Sequence, residues 1–376
     1  MDFTVLIKEL TIGFTTFVTW QNGVMILVGC ILLYLAVVKE YEPTLLMPIG
    51  FGCILANLGM SNEAGFMKVI YDAGITTELF PLLIFVGVGA MIDFRPLMAM
   101  PQMVLLGAAG QFGIYATLLL AVVLGYNINT AASIGVIGAI DGPTAIFVAS
   151  KLAPQMLGPI AVAAYSYMSL IPIIQPPIMK IFTTRKERLI RMDYTARPVS
   201  KVAVIAFPIV VTVVVSLIAP SAAPLIATLM LGNFLKECGV VDRLSKTAQN
   251  EMINIATLFL ALAIGSTMTA KNFINVQTLG VLVLGLIAFV IDTIAGLFFG
   301  KLMCFVTGGK INPLIGACGI SAFPMAGRLT ARMALDEDYD NFILMHAMGS
   351  NTAGQLGSVI AGGLLLALVA GVTGIH

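Results

Sequence analysis

The chain has 376 residues, of which 59% are hydrophobic and only 10% charged, with a formal net charge of +1. Soluble domains carry about 25% charged residues, so this composition excludes a water-soluble globular protein. The near-neutral charge argues against nucleic acid as a partner, and the solvent the composition implies is the lipid bilayer.

Residues 1–19 mix Asp2, Lys8 and Glu9 with apolar residues, the pattern of an interfacial N-terminal helix rather than a cleavable signal. Apolar runs at 20–38, 43–60, 78–94 and 103–126 each approach the roughly 17–25 residues that a spanning helix needs. An apolar stretch near 130–150 is crowded with glycine, proline and small polar residues and reads as a re-entrant hairpin; a span at 158–182 follows it. The linker 183–200 carries Arg185, Lys186, Arg188, Arg191 and Arg197, which places it in the cytoplasm by the positive-inside rule. Further spans at 201–218, 221–238, 253–268 and 277–300 precede a second hairpin near 304–325 and a last span at 342–370. Carried through this map, every Lys and Arg except Lys8, Lys68, Lys151 and Lys271 falls on the cytoplasmic side. The cysteines Cys30, Cys53, Cys238, Cys304 and Cys318 stand singly, without the spacing of a metal site or a disulfide framework.

Residues 20–182 and 201–376 share one plan. Pro81–Phe94 resembles Leu258–Lys271, and Ile134–Ile140 resembles Leu314–Ile320. With five spans and one hairpin in each, the second half is inverted relative to the first. The expected fold is an all-α polytopic membrane protein of two inverted repeats with re-entrant hairpins and broken helices, of elevator-type transporter character. Such repeats place a substrate or ion site at their interface.

The polar residues inside the membrane gather on the matched elements. Asp141 lies in Ile134-Gly-Val-Ile-Gly-Ala-Ile-Asp-Gly-Pro-Thr144, far in sequence from other charges. A carboxylate in hydrocarbon costs several kcal/mol unless it is paired, protonated or holding a cation, so Asp141 reads as an ion or proton site. Tyr167 sits just before Pro172, Pro176 and Pro177, which interrupt their span. The second hairpin brings Asn312, Gly316 and Ser321, with Arg328 on its trailing arm; the last span opens with His346, Ser350, Asn351 and Thr352. Carboxylate, carboxamide, hydroxyl and freed carbonyl oxygens suit a hard monovalent cation such as Na+, and a fixed guanidinium suits a carboxylate or bicarbonate. For each residue the plainer reading is helix packing or a capped turn. Asp292 reads as a paired structural acid near the cytoplasmic end of its span, and His346 as a helix-end or core residue.

The motifs Gly138–Pro154, Tyr165–Pro177, Asn312–Arg328 and His346–Asn351 closely resemble those of the β subunits of sodium-pumping, biotin-dependent decarboxylases. That family acts on oxaloacetate, methylmalonyl-CoA, glutaconyl-CoA and malonate. The resemblance covers nearly the whole chain; Ile140 and Ser350 depart from the pattern beside functional positions, not on them. It implies a subunit that decarboxylates carboxybiotin, consumes a proton and drives Na+ outward across the bacterial cytoplasmic (inner) membrane. It implies Asp141, Tyr167, Arg328 and Asn312 as catalytic residues, and Arg328, Asn312, Gly316 and Tyr167 as the carboxybiotin site. Asp141, Ser321, Asn351 and Tyr167 are the implied Na+ ligands. The implied partners are a biotin carrier protein, a carboxyltransferase α subunit, a small single-span γ or δ subunit and further copies of this chain in a trimer. No Ala-Met-Lys-Met-type biotinylation turn occurs here, so biotin has to arrive on a partner. The modest length fits the acyl-CoA members somewhat better. From the residues alone, a sodium-coupled secondary carboxylate transporter remains the alternative.

Overall fold

The structure is a computed structural model and describes residues 19–192 and 198–373. The expected interfacial helix at 1–19 and part of the basic linker lie outside the described residues. Among those residues the protein is helical throughout, with no strand. The first half contains α1 (Trp20–Val38), α2 (Pro43–Ala56), α3 (Leu79–Met91), α4 (Met103–Val123), α5 (Ile128–Gly135), α6 (Gly142–Leu152) and α7 (Leu157–Phe182). The second contains α8 (Lys201–Ile218), α9 (Ala223–Glu237), α10 (Asp242–Ser266), α11 (Val276–Val306), α12 (Met325–Glu337) and α13 (Leu344–Thr373).

Among the described residues six helices, α1, α4, α8, α10, α11 and α13, are long and apolar enough to cross a membrane, or eight if each bent pair counts as one span. One bent pair joins Gly65–Thr76 to α3 at 57°; the other joins Pro154–Met168 to Leu170–Phe182 at 64°, the break falling just before Pro172. Ten full-length spans were expected, and the difference falls on α2 and α9. With 14 residues α2 reaches only about 21 Å, short of the roughly 30 Å of hydrocarbon. These two helices are flanked by protein: α2 lies between α1 and α10, and α9 between α3 and α8. Their ends therefore need not match the lipid boundary. The periphery differs, because only 17% of α8 is buried within the protein, and its Val210, Leu217 and Ile218 are exposed.

The halves interlock by exchange. Helix α2 packs on α10, α3 on α9, α4 on α13 and α7 on α11. At the α3–α9 crossing the backbones nearly touch. A Cβ on Gly89 would lie 1.8 Å from the Leu229 carbonyl oxygen, and one on Gly232 would lie 1.9 Å from that of Val86. Without a hydrophobic drive between helices in lipid, such close approach supplies the dispersion energy that holds them. A π-turn precedes α3 at Asp72–Thr76, and another interrupts α10 at Ala248–Met252.

The first hairpin consists of α5, a 3-10 turn at Val136–Ala139, and α6. The second was expected from 304, but α11 continues to Val306 and the chain turns at Gly308 and Gly309, both with positive φ. Its broken part is the 3-10 segment Pro313–Cys318, and α12 extends the hairpin to Glu337. The apolar character of 304–306 gave no boundary, because the helix stops at glycine rather than at a change of hydropathy. The linker is clamped to this second hairpin. Arg188 pairs with Glu337 at 2.7 Å, Arg191 with Asp338 at 2.7 Å, and the Asn312 carboxamide donates to the carbonyls of Arg188 and Ile190.

Gly89→Ala is expected to lower the thermal midpoint of the detergent-solubilised protein by an overpacking cost of about 1–3 kcal/mol. Gly23→Ala, on an open face of α1 with nothing within 4 Å, should leave it unchanged or raised. The Arg191 guanidinium, through its hydrogen bonds, holds the Asp338 carboxyl below the usual carboxylate range. That contribution is present above the unfolded value of about 3.9 and is lost as pH falls through the lower folded value. Hydrogen-exchange protection of 188–192 should fall over that acidic window, and the step should vanish in Arg191→Gln.

Candidate functional site

The first hairpin interrupts helical geometry between α5 and α6. Asn127 caps α5 by accepting from the Thr130 amide at 2.8 Å. After the 3-10 turn, Ile140 takes φ +52°, a left-handed conformation that costs a β-branched residue of order 1–3 kcal/mol. That reversal puts Asp141 at the N-cap of α6, with Pro143 in the first turn. One Asp141 carboxylate oxygen accepts from the Thr144 amide at 3.2 Å. The other accepts from the Gln355 carboxamide at 3.0 Å and from the Ser358 hydroxyl at 2.7 Å. The residue is 3% exposed and makes no ion pair among the described residues. The groups that face its carboxyl are neutral donors and the positive end of α6.

The second hairpin meets the first at its tip, where the Ser321 amide donates to the Ala139 carbonyl at 3.0 Å. From Ala317 to Ile320, the end of the 3-10 segment and the two residues after it, the carbonyls need partners from elsewhere. Three carboxamides supply them. Gln175 of α7 donates to Ala317 at 2.9 Å, Gln111 within α4 to Gly319 at 3.0 Å, and Asn351 of α13 to Cys318 and Ile320 at 3.2 and 2.7 Å. The side-chain oxygens of all three are buried without a hydrogen-bond partner.

The structure thus brings Asp141, Ser321 and Asn351 together around the crossing of the tips. Ser321 and Asp141 line one cavity of about 340 Å³. Tyr167 packs beside Ile140 and Ile320, but its hydroxyl donates to the Leu282 carbonyl of α11. Its neighbour Tyr165, on the other face of α7, lines the cavity and lays its ring over Gly142, where a Cβ would be 2.1 Å from a ring carbon. Gly316 lies against α11, its absent Cβ only 2.0 Å from the Gly296 carbonyl oxygen. Asn312 is fully buried, but it serves the linker and caps its own turn by accepting from Leu314 at 3.0 Å. Arg328 is exposed near the start of α12 and makes no ion pair among the described residues.

Gln355 and Ser358 were not singled out from the sequence. The signal was present, because Asn351, Gln355 and Ser358 recur at i, i+4 and i+7 and so share one face of α13. Asp292 differs from expectation. It sits in the middle of α11 rather than near its end, and it has no basic partner among the described residues. It accepts from the Gly113 amide on α4, and its second oxygen is buried without a hydrogen-bond partner. His346 is buried in the first turn of α13, as a helix-end role requires. Among the described residues no three His, Cys, Asp or Glu side chains converge. A single carboxylate among neutral oxygens matches the charge of a monovalent cation better than that of a divalent one.

Residues 21–369 match the family described as Na+-transporting oxaloacetate decarboxylase beta subunit. The chain is 54% identical to the glutaconyl-CoA decarboxylase subunit beta of Acidaminococcus fermentans, over 96% of each chain. It is also 54% identical to the methylmalonyl-CoA decarboxylase subunit beta of Veillonella parvula, over 95% of each. Identity to the oxaloacetate decarboxylase beta chain of Klebsiella pneumoniae is 45%, over 93% of this chain and 95% of that one. The chain belongs to this family of decarboxylase beta subunits.

Replacing Asn351 by leucine strips the donors from two buried carbonyls, each worth about 1–3 kcal/mol. The thermal midpoint should drop clearly, and more than for Thr352→Val, whose hydroxyl donates only within its own helix to Met348 at 2.7 Å.

Proposed function

We propose that this chain is the membrane subunit of a biotin-dependent decarboxylase complex, and that it couples the loss of CO2 from carboxybiotin to outward Na+ movement across a bacterial cytoplasmic membrane. The observation that carries the reading is Asp141: an acid buried on interrupted backbone, held by neutral donors alone. A basic partner would neutralise it permanently. Donors that can rotate leave it free to exchange a cation or a proton for the hydrogen bonds it now accepts.

In this reading Na+ binds at Asp141. The Ser358 hydroxyl and the Gln355 carboxamide turn their oxygens toward it, and Ser321 and the unpartnered oxygen of Asn351 stand nearby. Arg328, uncommitted and exposed, receives the carboxylate of carboxybiotin from the cytoplasm. Decarboxylation breaks the bond between carbon and the ureido nitrogen, releases CO2 and leaves a nitrogen that takes up one proton. The proton reaches the site through Asp141 or one of the two tyrosines of α7, Tyr165 on the cavity side or Tyr167 on the α11 side. Asn312 acts indirectly, by tying the linker to the second hairpin, and Gly316 by allowing α11 to approach.

An inverted-repeat, elevator-type fold is supported by the exchange of packing partners between halves and by π-turns associated with the third span of each. Biotin arrives on a carrier protein after a carboxyltransferase α subunit has loaded it; a small γ or δ subunit and a trimer of this chain complete the assembly. The acid is an acyl-CoA, supported by 54% identity to two acyl-CoA relatives against 45% to the Klebsiella pneumoniae oxaloacetate relative.

The complex containing Asp141→Asn, reconstituted in vesicles, should lose radioactive sodium uptake and CO2 release together, the latter by about 100-fold or more. Full pumping by that variant would rule the assignment out.

A further inference from the structure

We infer that the 340 Å³ cavity between α2, α3, α7 and α10 is a cation-selective vestibule through which Na+ reaches Asp141 from the cytoplasmic side, with Glu42 as the charge at its mouth. The inference rests on the proposed sodium coupling for the identity of the ion, but the selectivity follows from the lining. Asp141, Tyr165 and Gln355 form the buried end; Glu42, Asn254 and Thr257 line the cavity further out. The lining holds two carboxylates, Glu42 and Asp141, and no Lys, Arg or His. A narrow cleft with one sign of charge and low-dielectric walls concentrates the opposite ion and repels its own.

Glu42 is placed for this and for no evident structural purpose. It stands at the N-cap of α2, yet its side chain makes no cap hydrogen bond, and its backbone is left-handed at φ +37°. It forms no ion pair among the described residues. A non-glycine residue in that conformation marks strain kept for a reason beyond local stability. Asn254 and Thr257 lie one turn apart on a membrane-spanning helix. Asn254 is exposed and Thr257 half-buried, and both present polar side chains to the cavity. The mouth lies on the basic face: Met91 borders it, and Lys236 donates to the Met91 and Ile92 carbonyls beside it. Arg328, the residue proposed to receive the carboxylate, is not part of the lining.

The test reads charge preference directly. Asn254→Cys in the full complex is treated with a cationic and an anionic methanethiosulfonate reagent, and modification at residue 254 is followed by peptide-resolved mass spectrometry. The cationic reagent should react at least about tenfold faster, and the ratio should shrink in Glu42→Gln and at high ionic strength. Equal rates, a faster anionic reagent or no modification by either would overturn the vestibule. In transport, Glu42→Gln should raise the Na+ concentration for half-maximal rate about threefold and Glu42→Lys about tenfold, with Glu42→Asp near wild type and the rate at saturating Na+ retained. A loss confined to the saturating rate would also overturn it. Sodium coupling itself is judged separately, by whether Na+ raises the thermal midpoint of the wild-type complex but not that of Asp141→Asn. A vestibule can pass the labelling test when that one fails.

Discussion

Backbone that leaves helical geometry inside a membrane must find every hydrogen bond within the protein, and this constraint organises the centre of the molecule. Two hairpins stop there and touch through the Ser321 amide and the Ala139 carbonyl. The carbonyls exposed from Ala317 to Ile320 are met by Gln111, Gln175 and Asn351, from three different helices. Helix α13 does double duty, because the face that carries Asn351 to the second hairpin carries Gln355 and Ser358 to the carboxylate of the first. The polar site and the support for the broken backbone are therefore one network, and either would fail without the other.

The donors around Asp141 are all neutral. Breaking a buried salt bridge costs several kcal/mol, which would make exchange of a cation slow and its binding permanent or absent. Hydrogen bonds from an amide, a carboxamide and a hydroxyl are individually worth about 1.5–3 kcal/mol when the acceptor is charged, and the last two donors can also turn an oxygen toward a cation. The buried acid is thus satisfied without a fixed charge beside it. Arg185, Arg188 and Arg191 are committed to acids of the linker clamp, and Arg328 lies apart on α12.

Much of the site was legible because hydrocarbon makes polar residues conspicuous. Asp141, Ser321 and Asn351 stood out in apolar surroundings, and the structure gathers them around one crossing. Asn312 and Tyr167 stood out for the same reason, yet their polar atoms are committed to carbonyls of the linker and of α11. A sequence shows that a polar group needs a partner but not which partner it finds. Gln355 and Ser358 were hidden for the opposite reason, since isolated polar residues on a Gly- and Ala-rich helix also occur in ordinary helix packing.

By itself the sequence determined that the protein lives in a membrane, that its chain is interrupted near 140 and near 316, and that an acid sits at the first interruption. Those conclusions follow from local properties: hydropathy, helix-breaking residues and the cost of charge in lipid. The tertiary structure decided that α2 and α9 are short and that each is held between two neighbouring helices. It also decided that Tyr165 rather than Tyr167 faces the cavity, that Asp292 lies against Gly113 without a basic partner, and which donors hold Asp141. Each of these depends on contacts between residues distant in the chain, and those arise only when the two halves interlock.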